Sequence, residues 1–493
     1  MTLPGHILYL LAIAALALCV PNSPFDNYSG ALITVGTIGL WRYGWAATNI
    51  VRAMYYQKVA YPRRRAAAEA EYQRRGKRNH AFFLVTTYKI PAEISARVYR
   101  SVFEAAYRAK GGASVIASIV DESDRRLIRQ VMTSVMAEQG AGAPAVHLQI
   151  DKIPGTGKRD ALATSLRSIA ALNPGRDDVI LLVDGDSCVP VDVVDRSIPF
   201  FTDPAVGAVT TDERSETQGS RLFRDWFELR FAQRHVMMSS MSLSERVLTL
   251  TGRMSVFRAS LATETGFIDM VRNDYIDHWR LGRVQFLTGD DKSTWFWLLK
   301  RGYKMLYLPD LLTTAIETQP KPGFFQSAGV LMIRWFGNML RTNGRALRLG
   351  PSRIGSFTWW SILDQAVSIW TTLAGPASVL LAAVFVSAWI LPVYLSWVML
   401  TRYVACTIIM GARGRSFPIS YPFLLYFSQI GGAFIKSFVL FRLDRQKWTR
   451  QTTEGRGAAQ GIAQRWRAAG STHMHALAVG WLVLGIAYIG GLI

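Results

Sequence analysis

Long apolar runs alternate with charged stretches along this chain, and their order predicts one α/β domain set inside a frame of apolar helices. Residues 3–20 (LPGHILYLLAIAALALCV) carry no charge apart from His6, with no Lys or Arg ahead of them, and predict a retained membrane helix. Residues 30–56 form a second apolar stretch broken by Arg42 and Arg52, costly inside a span unless they face protein or water. Together they predict a hairpin over 1–60. A basic, helix-prone connector follows at 61–80 (YPRRRAAAEAEYQRRGKRNH), a cytoplasmic flank by the positive-inside rule.

Between 81 and 320 the pattern changes. AFFLVTTY (81–88), SVIASIVDESD (114–124) and DVILLVDGDS (178–187) are continuous apolar strands with helical stretches between them. That alternation predicts a parallel sheet covered on both faces, with ligands at the carboxyl ends of the strands. Beyond the domain, 321–350 reads as amphipathic, basic interface helices. Residues 357–411 are long enough for two spans, broken near Leu391-Pro392. Residues 418–441 are apolar but flanked by basic clusters at both ends, which favours an interfacial or re-entrant helix over a span. A basic, polar segment at 442–472 and a last apolar helix at 474–493 complete the chain.

Composition narrows the function. Half of the 493 residues are hydrophobic, only 18% are charged, and the net charge is +21. A soluble domain carries nearer about 25% charged residues. The abundance of Trp, Phe, Tyr and Leu excludes a disordered chain. Cys19, Cys188 and Cys406 lie far apart, which excludes a disulfide scaffold. The excess of cations admits nucleic acid, an anionic membrane surface or an anionic substrate. Because the basic residues flank apolar spans and no nucleic-acid motif occurs, the first is set aside.

The strand ends carry the chemistry. Asp184-Gly185-Asp186 closes an apolar strand, and two carboxylates across a small residue suit a hard cation such as Mg²⁺ or Mn²⁺. Thr87, Tyr88 and Asp121 end the first two strands, where a nucleotide base and ribose would fit; plain strand-end capping explains them equally. GTGKRDAL (155–162) sets Lys158 and Arg159 at a helix start, favouring a phosphate or a charged sugar. TGDD (288–291) puts two acids at a helix N-terminus, which suits a base held ionised there or a simple N-cap. TGRMSVFRA (251–259) is a glycine turn into a strand and could border an acceptor pocket through Gly252 and Arg253. His235 and His278 read as structural, hydrogen-bonded residues.

Taken in order, TTY (86–88), Asp121, GKRDA (157–161), DGD (184–186), TGRMSVFR (251–258), TGDD and Arg334-Trp335 resemble the processive, membrane-integrated family 2 glycosyltransferases, the cellulose, chitin and hyaluronan synthases among them. WRYGWAATNIVRAM (41–54), LRFAQRHVMMSSMSLSERVLTLTGRMSVFRAS (229–260), HWRLGRVQFLTGDDKSTWF (278–296) and FRLDRQKWTRQ (441–451) narrow the resemblance to the bacterial alginate polymerases, the mannuronan synthase subunits. The resemblance implies a GT-A type cytoplasmic domain between transmembrane and interfacial helices. It implies GDP-mannuronic acid as donor, a growing mannuronan chain as product, a divalent cation, and a place in the bacterial inner membrane. It also implies a partner carrying a cyclic-di-GMP receptor domain, and periplasmic export proteins.

Roles follow position by position. Asp291 would be the general base and Asp290 would orient it. Thr87, Tyr88, Asp121, Lys158, Arg159, Asp184 and Arg334 would hold the donor, with Asp186 and Asp184 at the metal. Trp335, Gly252 and Arg253 would meet the acceptor. Lys447, Trp448, Thr449 and Arg450 resemble the gating loop of hyaluronan synthases without its glycine. Leu331 stands where the family's acceptor-end motif has Gln. Cations at Arg253 and Lys292 are expected to read the uronate carboxylate, Arg253 first. A UDP-sugar synthase and a nonenzymatic polysaccharide channel are the alternatives, the latter opposed by the intact acids.

Overall fold

The computed structural model describes residues 3–21, 29–140, 144–446 and 462–491. Helix α1 (Leu3–Leu18) and helix α2 (Ser29–Tyr55) lead through a π-turn into α3 (Tyr61–Arg75). The connector is therefore a helix, ended by Gly76 at φ 62°. It is pinned to the domain by Arg65, whose Nε lies 2.7 Å from Asp310 Oδ2, and by Tyr61, which hydrogen-bonds the same carboxylate.

The domain then runs β1 (Ala81–Thr86), α4 (Ala92–Arg108), β2 (Ala113–Ile119), α5 (Glu122–Gln139), β3 (Val146–Lys152), α6 (Lys158–Ala171) and β4 (Val179–Asp184). After β5 (Ser187–Cys188) and α7 (Val193–Ser197) come β6 (Val206–Gln218), α8 (Arg221–Ser242), β7 (Met254–Arg258), α9 (Ala259–Ala262) and α10 (Thr265–Asn273). A hairpin of β8 (Tyr275–His278) and β9 (Gly282–Gln285) precedes α11 (Asp290–Arg301) and β10 (Lys304–Thr318).

The main sheet has the order β3-β2-β1-β4-β7-β6-β10-β5. Its first four strands are parallel, as the continuous apolar runs predict. The sheet as a whole is mixed, not parallel: β7 runs antiparallel to both β4 and β6, and β5 antiparallel to β10. This corrects the all-parallel expectation, and the reason is local. The loop over residues 243–253 between α8 and β7 brings the chain back so that β7 runs against both neighbours. Register then decides the site. Thr86 pairs with both Ser118 and Asp184, so the three strand ends open at one level. β1 and β2 are buried almost throughout, with helices on both faces.

Helix α12 (Phe324–Leu347) is the predicted amphipathic helix, followed by the single turn α13 (Pro351–Ile354). Among the described residues, four helices are long and apolar enough to cross a membrane: α14 (Ser356–Phe385), α15 (Ile390–Gly411), α16 (Ser420–Leu440), and the part Arg465–Ile489 of α17 (Ile462–Ile489). Two expectations change. The break between α14 and α15 falls at residues 386–389, and Pro392 lies in the first turn of α15, where its missing N–H costs nothing. α16, expected over 418–441, is one continuous helix with the length and composition of a span. Residues 462–472, expected in a loop, already belong to α17. Arg42 faces protein, with Nη1 2.9 Å from Asp364 Oδ1 on α14, and Nη2 donates to Thr371 at 2.6 Å.

Candidate active site

The carboxyl ends of β1 and β4 meet the N-termini of α6 and α11 in one cleft. It is lined by Lys158, Asp184, Thr251, Gly252, Asp290 and Asp291. The two acidic motifs, more than a hundred residues apart in the chain, are joined by one cation. Lys158 Nζ lies 2.6 Å from Asp184 Oδ1 and 2.8 Å from Asp290 Oδ2.

Each member is placed by backbone constraints. Gly185 approaches β1 so closely that a Cβ would stand 2.6 Å from the Thr86 carbonyl oxygen, while its own N–H donates to that oxygen at 3.1 Å. Only glycine fits there, which is why the two carboxylates are separated by it. Gly252 runs past the Asp184–Lys158 pair, with its Cβ position 3.3 Å from Asp184 Oδ2. Gly289 caps α11 at φ 84°, and a Cβ there would strike the Asn338 side chain at 2.8 Å. The turn thereby delivers Asp290 and Asp291 to the first turn of the helix, where the helix dipole favours anions.

Electrostatics separates the acids. Burial raises the Asp184 carboxyl to about 6, with Asp186 and Asp290 adding to it against the pull of Lys158. Burial acts the same way on Asp290, but Lys158 and Arg159 outweigh it and hold Asp290 below the usual carboxylate range. Asp291 is pushed up, first by burial and then by the charge of Asp290. Two neighbouring carboxylates thus have opposite shifts. Burial would lower Lys158, yet its two carboxylate partners raise it, so it stays charged.

Other expected residues divide by what they touch. Asp121 stands exposed at the N-cap of α5 and makes no side-chain capping bond. Tyr88 is half-buried beside Lys89, whose Nζ lies 5.3 Å from its ring centroid. Thr87 is buried; its hydroxyl bonds the Tyr99 hydroxyl at 2.9 Å and its N–H donates to the Ser118 carbonyl at 2.9 Å. Arg159 is buried, and donates to the Val271 and Thr288 carbonyls and to Ser293 Oγ; these bonds hold α6 against α10 and α11. Lys292 is turned into the core, its Nζ 2.5 Å from the Leu248 carbonyl oxygen, and burial lowers its pKa to about 8. Arg253 bonds Glu317 at 2.5 Å and reaches Glu213 at 3.4 Å. Arg253 and Lys292 are therefore already engaged by protein acceptors.

On α12, Arg334 is half-buried and Trp335 stacks on Trp226, ring centroids 5.7 Å apart. Leu331 is buried in the same apolar cluster as Trp226 and Phe324, so the position where the family has Gln serves packing between α8 and α12. Lys447, Trp448, Thr449 and Arg450 lie outside the described residues. His235 is the structural residue expected: it is buried and its Nδ1 pairs with the Tyr307 hydroxyl at 2.8 Å. Sequence reasoning missed Glu213, Glu317, Arg230 and Asn338. Arg230 and Arg234 are spaced i,i+4 on one helix face, a signal that marks a charged stripe but not its target.

For a divalent cation the available protein donors are Asp184 and Asp186. Among the described residues no group of three or more metal-type ligands occurs. Two carboxylates nevertheless fit Mg²⁺ or Mn²⁺, hard ions that keep water and substrate phosphate oxygens as their other ligands.

Comparison with known proteins agrees with this architecture. The profile described as Glycosyltransferase like family 2 matches residues 79–338. A protein named Glycosyltransferase alg8 from Pseudomonas syringae pv. tomato is 40% identical over 453 residues, 91% of this chain and 90% of the relative. A Glycosyltransferase alg8 from Azotobacter vinelandii is 40% identical over 452 residues, with the same coverage of both chains. Among solved structures, the mannosyltransferase PcManGT from Pyrobaculum calidifontis, in complex with GDP-Man and Mn²⁺, is similar with a TM-score of 0.42 and 18% identity, covering 79% of this chain and 98% of that one. With a matching profile over the whole catalytic domain and relatives aligned nearly end to end, the chain belongs to the family 2 glycosyltransferases and, within them, to the alg8 group, the alginate polymerases its motifs resemble.

Proposed function

We propose that this glycosyltransferase polymerises mannuronate from GDP-mannuronate into poly-β-1,4-mannuronate by an inverting single displacement, and that it passes the product across the inner membrane. The observation that carries the reading is the meeting of DGD and TGDD through Lys158, with Asp291 left as the carboxylate of raised basicity. In the reaction, Asp291 takes the proton of the acceptor 4-hydroxyl while that oxygen attacks C1 of the donor sugar. The bond from C1 to the diphosphate oxygen breaks, and GDP leaves with the electron pair. A positioned base of this kind contributes about 10²–10⁴-fold.

Asp290, fixed by Lys158, orients the acceptor hydroxyl and keeps a second negative charge from taking the proton. Lys158 stands beside Asp184, where the leaving diphosphate is expected, and offers a retained positive charge. Thr87, Tyr88 and Asp121 border the nucleotide crevice, Arg334 faces the diphosphate, and Gly252 and Trp335 border the acceptor. Asp186 with Asp184 would hold Mg²⁺ or Mn²⁺, which when bound offsets the charge of the departing diphosphate. The apolar helices make the chain multi-pass in this reading, with the catalytic domain cytoplasmic and a lipid bilayer as its solvent. The domain boundaries read from the sequence are part of the same proposal: hairpin to 60, transferase at 81–320, interface helices at 321–350, and the basic segment from 442 to the start of α17 as a gate. A cyclic-di-GMP receptor subunit supplies activation, and periplasmic export proteins receive the chain.

The test is GDP release by the purified chain reconstituted in membranes with its receptor partner and activator. GDP-mannuronate, GDP-mannose and UDP-sugars are offered in parallel with Mg²⁺ or Mn²⁺. Release selective for GDP-mannuronate and abolished by Asp291→Asn is expected. Selective release that survives Asp291→Asn removes the assigned base; preference for another donor removes the substrate.

A further inference from the structure

Where α8 crosses α12, the guanidinium carbon of Arg230 lies 3.4 Å from the centroid of the Trp335 ring. Arg230 is half-buried, and among the described residues it makes neither an ion pair nor a hydrogen bond. Its neighbours are provided for. Arg253 pairs with Glu317 and Glu213, and Arg234 reaches Glu213 at 3.5 Å. Of the three guanidinium groups, Arg230 is the one that no carboxylate reaches within ion-pair distance among the described residues. Burial first, and then the like charge of Arg253, pull its pKa down to about 9, against the pull of Glu317 and Glu213.

The cation complements one kind of sugar. The Trp335 ring is already packed between Arg230 and Trp226, so what the pair offers a ligand is the guanidinium, whose paired N–H donors suit a carboxylate. Held on an aromatic ring, the guanidinium loses less freedom when it binds. A neutral sugar leaves the charge unmatched; a uronate matches it. Arg253 and Lys292, expected from sequence to do this, have protein acceptors already.

We propose that Arg230, laid on Trp335, reads the carboxylate of the uronate at the acceptor end of the growing chain. This rests on the mannuronate reading of the enzyme. Arg230 takes no part in the proton transfer; it selects which acceptor is held against Asp291.

The experiment compares wild type, Arg230→Met and Arg230→Lys, each reconstituted with the receptor partner. Arg230→Met keeps an apolar stem on the ring and removes the charge; Arg230→Lys keeps the charge and loses the paired donors. Binding of mannuronate oligomers and of neutral mannose oligomers is measured beside GDP release. The expected result is that Arg230→Met binds mannuronate oligomers at least about tenfold more weakly, the scale of one lost charge-assisted contact. Neutral-oligomer binding and donor KM stay near wild type, and Arg230→Lys lies between. Mannuronate binding unchanged in a folded Arg230→Met overturns the inference and leaves the function standing. If Arg230→Met does not fold, Arg230→Lys decides: undiminished preference for mannuronate over mannose oligomers overturns it. A wild type that does not turn over GDP-mannuronate removes the functional reading and this inference together.

Discussion

Gly185 and Thr86 are in contact through backbone alone: the Gly185 N–H donates to the Thr86 carbonyl at 3.1 Å, and no Cβ fits between them. The separation of the two carboxylates of DGD is therefore set by β1 as much as by β4. Gly185→Ala is expected to force the strand ends apart at a cost of about 1–3 kcal/mol, the usual penalty of overpacking. Thermal unfolding in detergent should show the lower midpoint, and GDP release should fall because Asp184 and Asp186 no longer share their geometry with Lys158.

Lys158 neutralises two half-buried acids at once. Lys158→Met leaves Asp184 and Asp290 facing each other without a cation, and because both stay partly exposed the cost falls below the about 3–5 kcal/mol of a fully buried pair. Denaturant titration should show that smaller loss of stability. Activity should fall further, because Asp290, now without the charge that holds it ionised, competes with Asp291 for the proton. Arg at the same position keeps the charge but not the reach, so Lys158→Arg should recover stability more than turnover.

The pH dependence follows from Asp291. A base works only when deprotonated, and burial and Asp290 raise its pKa above the ordinary value of about 3.9. Activity should thus be full at neutral pH and be lost on acidification earlier than an ordinary carboxylate would allow. A profile of kcat/KM against pH measures the midpoint. An acid limb at or below the ordinary carboxylate range would remove Asp291 from the base's role.

Arg42 and Asp364 join α2 to α14 at a depth where apolar helices surround them. Arg42→Leu should destabilise strongly by leaving Asp364 without its partner, and Asp364→Leu should do likewise. The double variant Arg42→Leu/Asp364→Leu should recover much of the loss, since a well-packed apolar pair can replace a buried ion pair. Unfolding midpoints of the four proteins in one detergent complete the cycle.

Activity should depend on a divalent cation. Chelation is expected to abolish GDP release, with Mg²⁺ or Mn²⁺ restoring it. Asp186→Asn should raise the metal concentration needed for half-maximal rate, measured by titrating the metal back.

Sequence determined a good part of this molecule. Apolar runs too continuous for a half-exposed strand specify β1, β2 and β4, because each strand is covered on both faces. Acids at the ends of such runs specify the cleft, since ligands bind where parallel strands stop. The family order of short motifs specifies the transferase. What sequence left open was decided by pairing at long range. β7 reverses the sheet, which its own residues do not record, because a strand buried along its whole length gives no alternation to read. Lys158 bridges Asp184 and Asp290 only because α6 and α11 converge on one strand end. Arg253 is neutralised by glutamates on β6 and β10, and Arg230 is left charged against Trp335, because which cation finds which acid depends on packing between elements far apart in the chain. Local sequence fixes what each side chain can do; only tertiary contact decides which of them remain available to a substrate.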